Sequence, residues 1–150
     1  LIKDIKPKPE DKVIIGGNFA RWYGGFQSYV VAEEFGVEKW TQESHAKRIN
    51  ENLIPDLNHL PRLTWIDWMR SLSTFKYAIH LMPTVAAGTF SLNCAYFPDL
   101  SVDVDDIEKA HMLAKRLKED KGFYEMCSKT AKANYEKYYG IETWREKINL

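Results

Sequence analysis

The chain has little of several things that would fix its class at once. Its formal net charge is zero, with 21 Lys and Arg against 21 Asp and Glu and no basic run beyond short pairs. Neutralising phosphates needs clustered cations, so non-specific nucleic-acid binding is not expected. There are only two cysteines, Cys94 and Cys127, and they have no motif spacing. They read as reduced, buried thiols on two different helices, from which a cytoplasmic setting follows. No window approaches the length of a membrane span, and no signal peptide precedes the first strand. His45, His59 and His111 have no metal-ligand spacing with one another or with the cysteines, so no metal is expected. No Ser-His-Asp or Cys-His pair stands out by order or spacing. There is no internal repeat and no low-complexity segment. The chain opens on Leu1 rather than Met, as a piece of a longer protein would.

What is present is a chain of 150 residues, 45% hydrophobic and 28% charged, enough for one domain with a sizeable core. Residues 3–12 are charged and carry Pro7 and Pro9, which suits an extended lead-in or linker. Val13, Ile14 and Ile15 form a β-branched strand that enters a tight turn at Gly16 and Gly17. A loop with Arg21, Trp22 and Tyr23 leads to a predicted helix over 26–35. Its inward residues are Phe26, Tyr29, Val30 and Phe35, and Gly36 stops it. A second strand is expected over 37–42, a helix over 43–52 and a third strand over 62–66. A short helix follows with Trp68, Leu72 and Phe75 on one face.

The next segment, residues 77–97, carries most of the chemistry. It reads as a buried strand stopped by Pro83, a turn of small residues, and a helix from Thr89 to Phe97. A helix N-terminus facing the end of a parallel strand offers unpaired N–H groups and the positive end of the macrodipole to an anion. Thr89, Phe90 and Ser91 would supply those N–H groups; an ordinary helix start capped by Thr89 or Ser91 is the plainer alternative. Gly16 and Gly17 would let the backbone pass close to a ligand, or simply form a strand-to-helix turn. Arg21 is the cation whose fork matches phosphate oxygens, unless it is only a surface arginine. His80, inside the apolar strand, reads as a core histidine.

Beyond it, a strand is expected over 100–104, then a helix with a capping box at Asp105 and Glu108. Its apolar stripe is Ile107, Ala110, Ala114 and Leu117. Asp103, Asp105 and Asp106 are explained by that helix start before any metal triad. A last long helix, 122–139, would turn in Phe123, Cys127, Ala131, Tyr135 and Tyr138. Gly140 then separates it from a closing helix marked by Ile141, Trp144 and Ile148. Short apolar strands alternating with helices predict an α/β fold, a parallel sheet covered on both faces.

These segments together resemble the C-terminal, donor-binding half of a glycosyltransferase of the two-Rossmann-domain (GT-B) type. Residues 13–25, VIIGGNFARWYGG, resemble that family's first strand and glycine loop. Residues 72–78, LSTFKYA, with Pro83-Thr84 beyond, resemble its strand ending in Pro-Ser or Pro-Thr. Residues 88–97, GTFSLNCAYF, resemble the glycine and helix that hold the donor phosphates. Residues 102–150 resemble its tail of an acidic helix cap and a Tyr/Trp-rich helix.

The resemblance implies a Rossmann-like donor domain over 13–150 and a hexosyltransferase-type enzyme acting on a nucleotide-sugar. It implies that the acceptor site and any catalytic base lie on a second domain or partner chain, without which this one is inactive. It also implies phosphate contacts at Gly16, Gly17, Arg21, Thr89, Phe90 and Ser91. Asn93 would meet ribose hydroxyls and Trp65 would line the base pocket, core packing being the competing role for Trp65 and Trp68. No metal or other cofactor is implied.

The family's usual pair of glutamates falls on Val85 and Asn93 here, neither acidic, and its loop arginine falls on Gly17. The family continues past such a phosphate helix into another buried strand, whereas Phe97 runs straight into Pro98, so a missing segment is expected between them. A stand-alone Rossmann-like module that binds a nucleotide or a protein partner without chemistry is the alternative reading.

Overall fold

The computed structural model describes residues 3–16, 19, 24–43, 51–81, 89–96, 100–102 and 107–148. Five strands form one parallel sheet: β1 (Glu10–Ile15), β2 (Glu38–Gln42), β3 (Leu57–Leu60), β4 (Phe75–Ile79) and β5 (Leu100–Val102), in the order β3-β2-β1-β4-β5. Among the described residues six α-helices accompany them: α1 (Gly25–Ala32), α2 (Trp65–Leu72), α3 (Thr89–Tyr96), α4 (Ile107–Glu119), α5 (Lys121–Tyr139) and α6 (Ile141–Ile148). This is an α/β Rossmann-like fold, as the alternation of strands and helices implies.

The sheet has a core on each face. Val13 and Ile15 of β1 and Tyr77 and Ile79 of β4 turn one way, against Val31 and Ala32 of α1 and Ala110, Ala114 and Leu117 of α4. Phe35 stacks on Tyr77 there, ring centroids 4.4 Å apart. Such a pair is worth roughly 0.5–1.5 kcal/mol beyond the area it buries. Ile14 and Ala78 turn the other way, against Trp68, Met69 and Leu72 of α2 and Cys94 of α3. Both sides of the sheet are therefore apolar at its centre, which is why residues 13–15 of β1 and 77–79 of β4 read as continuous hydrophobic runs. Helix α5 lies against α3, α4 and β5, which places it along the β5 edge. It is held there by the Tyr124 hydroxyl donating to Lys76 O (2.9 Å) and by Lys132 Nζ donating to Tyr96 O (2.6 Å).

Several boundaries differ from the sequence reading, each for a local reason. The strand expected over 62–66 is instead β3, ending before Pro61, and Trp65 opens α2. The Thr64 hydroxyl accepts from Asp67 N–H and donates to the Asp67 carboxylate, so a side-chain cap starts the helix. β3 escapes notice because an edge strand tolerates polar residues: Asn58 spends its amide on Lys39 O. β1 begins at Glu10, inside the expected lead-in, and Lys8 and Glu10 donate to Ser73 O and Thr74 O. α1 starts at Gly25, and that phase buries Ser28, Val31 and Ala32 while Val30 is exposed, not inward. Phe75 belongs to β4 rather than to the α2 face. Ile107 and Tyr138 are exposed rather than inward. Gly36 does stop the first helical segment, in the left-handed conformation at φ 59°. The strand expected over 77–82 is present as Phe75–Ile79, and the helix expected over 89–97 as Thr89–Tyr96. Most of the helix predicted over 43–52, the Asp105 capping box and the joint after Phe97 lie outside the described residues.

Candidate functional site

In this strand order the chain runs outward from β1 to β3, returns through α2, and then runs outward the other way from β4 to β5. The connections leaving β1 and β4 consequently go to opposite faces: α1 packs on one core and α3 on the other. Between them lie the carboxyl ends of β1 and β4, the topological switch point at whose crevice open α/β sheets bind ligands.

Gly16 forms one wall. Its N–H donates to Ile79 O at 2.8 Å, extending the β1–β4 pairing one step beyond β1. A Cβ on Gly16 would lie 2.6 Å from Cδ1 of Phe90, so only glycine leaves room for that ring. Phe90 and Cys94, one helical turn apart, face inward from α3. The Phe90 ring also stands edge-on to His80, with centroids 5.3 Å apart and planes at 70°. These contacts fix the first turn of α3 against the ends of both central strands. The backbone of Thr89, Phe90 and Ser91 is therefore at the crevice, while the Phe90 side chain packs inward.

The loop leaving β1 is anchored by Phe19, which is buried and meets Phe26 edge-on at 5.2 Å. The last carbonyl of β1, Ile15 O, accepts from the buried Thr41 hydroxyl at 3.1 Å. Two further residues, neither singled out in the sequence, hold the exit of β4. Ser28 is fully buried in α1, and its Oγ accepts from Leu81 N–H at 2.9 Å. Gly24 lies so close to that strand that a Cβ would fall 1.6 Å from Leu81 O. A polar residue on the apolar face of α1 is the one sequence signal that could have marked Ser28.

Of the residues expected at the site, Gly16 and Phe90 are brought into contact, with the Thr89 and Ser91 backbone beside them. Asn93 is half-buried, further along α3. Trp65 is 56% exposed at the start of α2. Because α2 runs from the carboxyl end of β3 back to the amino end of β4, Trp65 lies on the side of the strands' carboxyl ends, as Gly16 does. Trp68, by contrast, is core. Gly17 and Arg21 lie outside the described residues. His80 is buried, at 6% exposure, as a core histidine would be, but it sits at the crevice itself. Among the described residues no three His, Cys, Asp or Glu side chains converge as a metal site, and no helix is long and apolar enough to cross a membrane.

A second polar cluster lies at the opposite end of the sheet. Lys39, near the amino end of β2, meets Asp56 at 2.6 Å and Glu33 at 2.7 Å, and Tyr29 donates its hydroxyl to Asp56. Burial pushes the Tyr29 phenol up to about 12, the bond to Asp56 adding to it. The hydrogen bond from Lys39, followed by that from Tyr29, holds the Asp56 carboxyl below its ordinary value. The cluster lies at the amino ends of the strands, away from the carboxyl ends at which open α/β sheets bind ligands.

No protein-family model matches the sequence, and no curated relative does. Solved structures do share the fold. One is an alpha-glucosyltransferase in complex with UDP-glucose and DNA containing an abasic site. It matches with a TM-score of 0.68 at 12% identity, covering 99% of this chain and 52% of that one. Another is AviGT4, a glycosyltransferase involved in avilamycin A biosynthesis. It matches with a TM-score of 0.57 at 11% identity, over 96% of this chain and 53% of that one. The chain thus has the architecture found in about half the length of these glycosyltransferases, a likeness of fold at this level of identity.

Proposed function

We propose that this chain is the donor-binding half of a glycosyltransferase that moves a hexosyl group from a nucleotide-sugar to an acceptor, in cytoplasmic carbohydrate biosynthesis. The observation that carries the reading is the contact of Phe90 with Gly16, which sets the α3 N-terminus against the carboxyl ends of β1 and β4. The fold of two glycosyltransferases, one of them in complex with UDP-glucose, supports it.

In this reading the bond between the anomeric carbon and the diphosphate breaks, and its electron pair stays on the diphosphate oxygen. Backbone N–H groups of Thr89, Phe90 and Ser91 and the Arg21 guanidinium stabilise that charge, while Gly16 and Gly17 allow close approach. Asn93 meets the ribose and Trp65 the base. No metal is required. The acceptor hydroxyl attacks the anomeric carbon and gives its proton to a base on the acceptor-binding domain or partner chain. The chain alone therefore binds donor without turning it over. Its zero net charge argues against a nucleic-acid partner for this half.

A stand-alone nucleotide-binding or interaction module is the second reading, favoured by Val85 and Asn93 where the resembled family has glutamates. Titration with UDP-, GDP-, ADP- and CMP-linked sugars, followed by amide NMR, tests the first. Shifts confined to 16–21 and 89–93 support it, and Arg21→Ala is expected to weaken diphosphate ligands more than nucleosides. A folded chain that answers none of the sugars at millimolar concentration sinks it. Binding of a bare nucleotide with no preference for its sugar conjugate favours the module.

A further inference from the structure

We infer that Ser28 and Gly24 are positioning residues of the crevice: they set where the exit of β4 lies and so place His80 and the α3 N-terminus relative to β1. The inference rests on the donor-site reading above. Three contacts bracket His80 along the chain. Before it, Ile79 O accepts from Gly16 N–H at 2.8 Å. After it, Leu81 N–H donates to Ser28 Oγ at 2.9 Å, and Leu81 O presses on Gly24 where a Cβ would sit 1.6 Å away.

β4 ends at Ile79, so the sheet no longer supports the backbone at Leu81. The Ser28 hydroxyl takes the place that a neighbouring strand's carbonyl would have held. Ser28 N–H in turn donates to Gly24 O at 2.8 Å, so the two residues form the first turn of α1 and act as one clamp. The clamp's other product is the Phe90 seat. Phe90 rests on Gly16 at one side and on the His80 ring at the other, and a shift of the β4 exit must move it and the N–H groups behind it. Neither clamp residue needs to touch the ligand. Ser28 is fully buried, and its hydroxyl meets the β4 exit at Leu81, next to His80.

The test compares the wild-type chain with Ser28→Ala, Ser28→Thr and Gly24→Ala, using UDP-glucose and inorganic pyrophosphate as probes. Ser28→Ala removes the acceptor without adding volume. It is expected to shift the His80 imidazole and the Gly16 and Phe90 amides in the ligand-free NMR spectrum and to weaken both probes about tenfold or more. Ser28→Thr returns the hydroxyl and is expected to restore most of that loss. Gly24→Ala is expected to displace the β4 exit further. If that variant does not fold, the two Ser28 variants still decide the matter, since dissociation constants are referred to the folded fraction. Unmoved His80 and Phe90 resonances in a folded Ser28→Ala chain overturn the inference whatever binds. Wild-type affinity in Ser28→Ala overturns it as well and leaves the donor-site reading standing. A wild-type chain that binds neither probe overturns the donor-site reading itself.

Discussion

The ammonium of Lys39 lies 2.6 Å from the Asp56 carboxylate, although Lys39 belongs to a strand and only 7% of its side chain is exposed. Burial is the largest single influence on this lysine and pushes its pKa down. The hydrogen bonds it donates to Asp56 and Glu33, with the attraction of their charges, outweigh burial, and the net shift is upward. The lysine is therefore charged in the fold, and both carboxylates favour that charge. Because those carboxylates are about half exposed, water screens them. Lys39→Met is expected to cost about 2 kcal/mol, between the values for surface and buried pairs. Urea unfolding measures it; a loss below about 0.5 kcal/mol would place the cluster among ordinary surface ion pairs.

The same cluster dictates a pH profile. Tyr29 titrates near 10.0 when free and near 12 in the fold. The folded state thus holds this proton more tightly, and stability is lost as pH rises from about 10 towards 12. Lys39, also raised, adds to the loss at that end. Asp56 is lowered, so its contribution is present above the ordinary aspartate value of 3.8 and disappears as pH falls below it. Tyr29→Phe is expected to flatten the alkaline limb more than the acid limb; Asp56→Asn, which also removes the carboxylate that raises Tyr29 and Lys39, should flatten both. Thermal unfolding across the pH range reads both. An alkaline limb unchanged in Tyr29→Phe would show that the phenol is not the group that titrates.

Burial periodicity made the central strands legible. Val13, Ile14 and Ile15, and the apolar run through Ile79, must be hydrophobic on both sides because helices cover both faces. The edge strand β3 was not legible, because its pairing asks little of its side chains and Asn58 and His59 are compatible with a loop. At the site, Gly16 and the α3 start could be found from spacing. Ser28 and Gly24 could not, since their partner is a backbone segment more than fifty residues away in sequence. Contacts of that kind depend on tertiary placement rather than on local pattern.

Gly36 offers a test of backbone conformation free of packing. Its φ is 59°, and nothing lies within 4 Å of where a Cβ would be. Substitution therefore meets only the left-handed penalty that side chains carry there. Gly36→Ala is expected to lower stability by about 1 kcal/mol, and Gly36→Asn by less, since Asn visits this region more readily. Equilibrium unfolding of the two variants gives the comparison. Equal losses would mean that the cost lies outside the backbone angle.

Trp65 separates a structural from a functional aromatic. Its neighbour Trp68 is core, whereas Trp65 is 56% exposed at the start of α2. Truncating an exposed residue that caps nothing changes stability by less than about 0.5 kcal/mol. The cap of α2 is made by Thr64 and Asp67 and would survive. If the nucleobase stacks on Trp65, Trp65→Ala removes on the order of 1–3 kcal/mol of binding. UDP affinity is then expected to fall roughly tenfold while pyrophosphate affinity stays as it was. Trp65→Phe, which keeps a ring, is expected to recover part of the loss. Equal weakening of UDP and pyrophosphate would place the tryptophan's effect on the phosphates instead, and no weakening of either would leave the base to other residues.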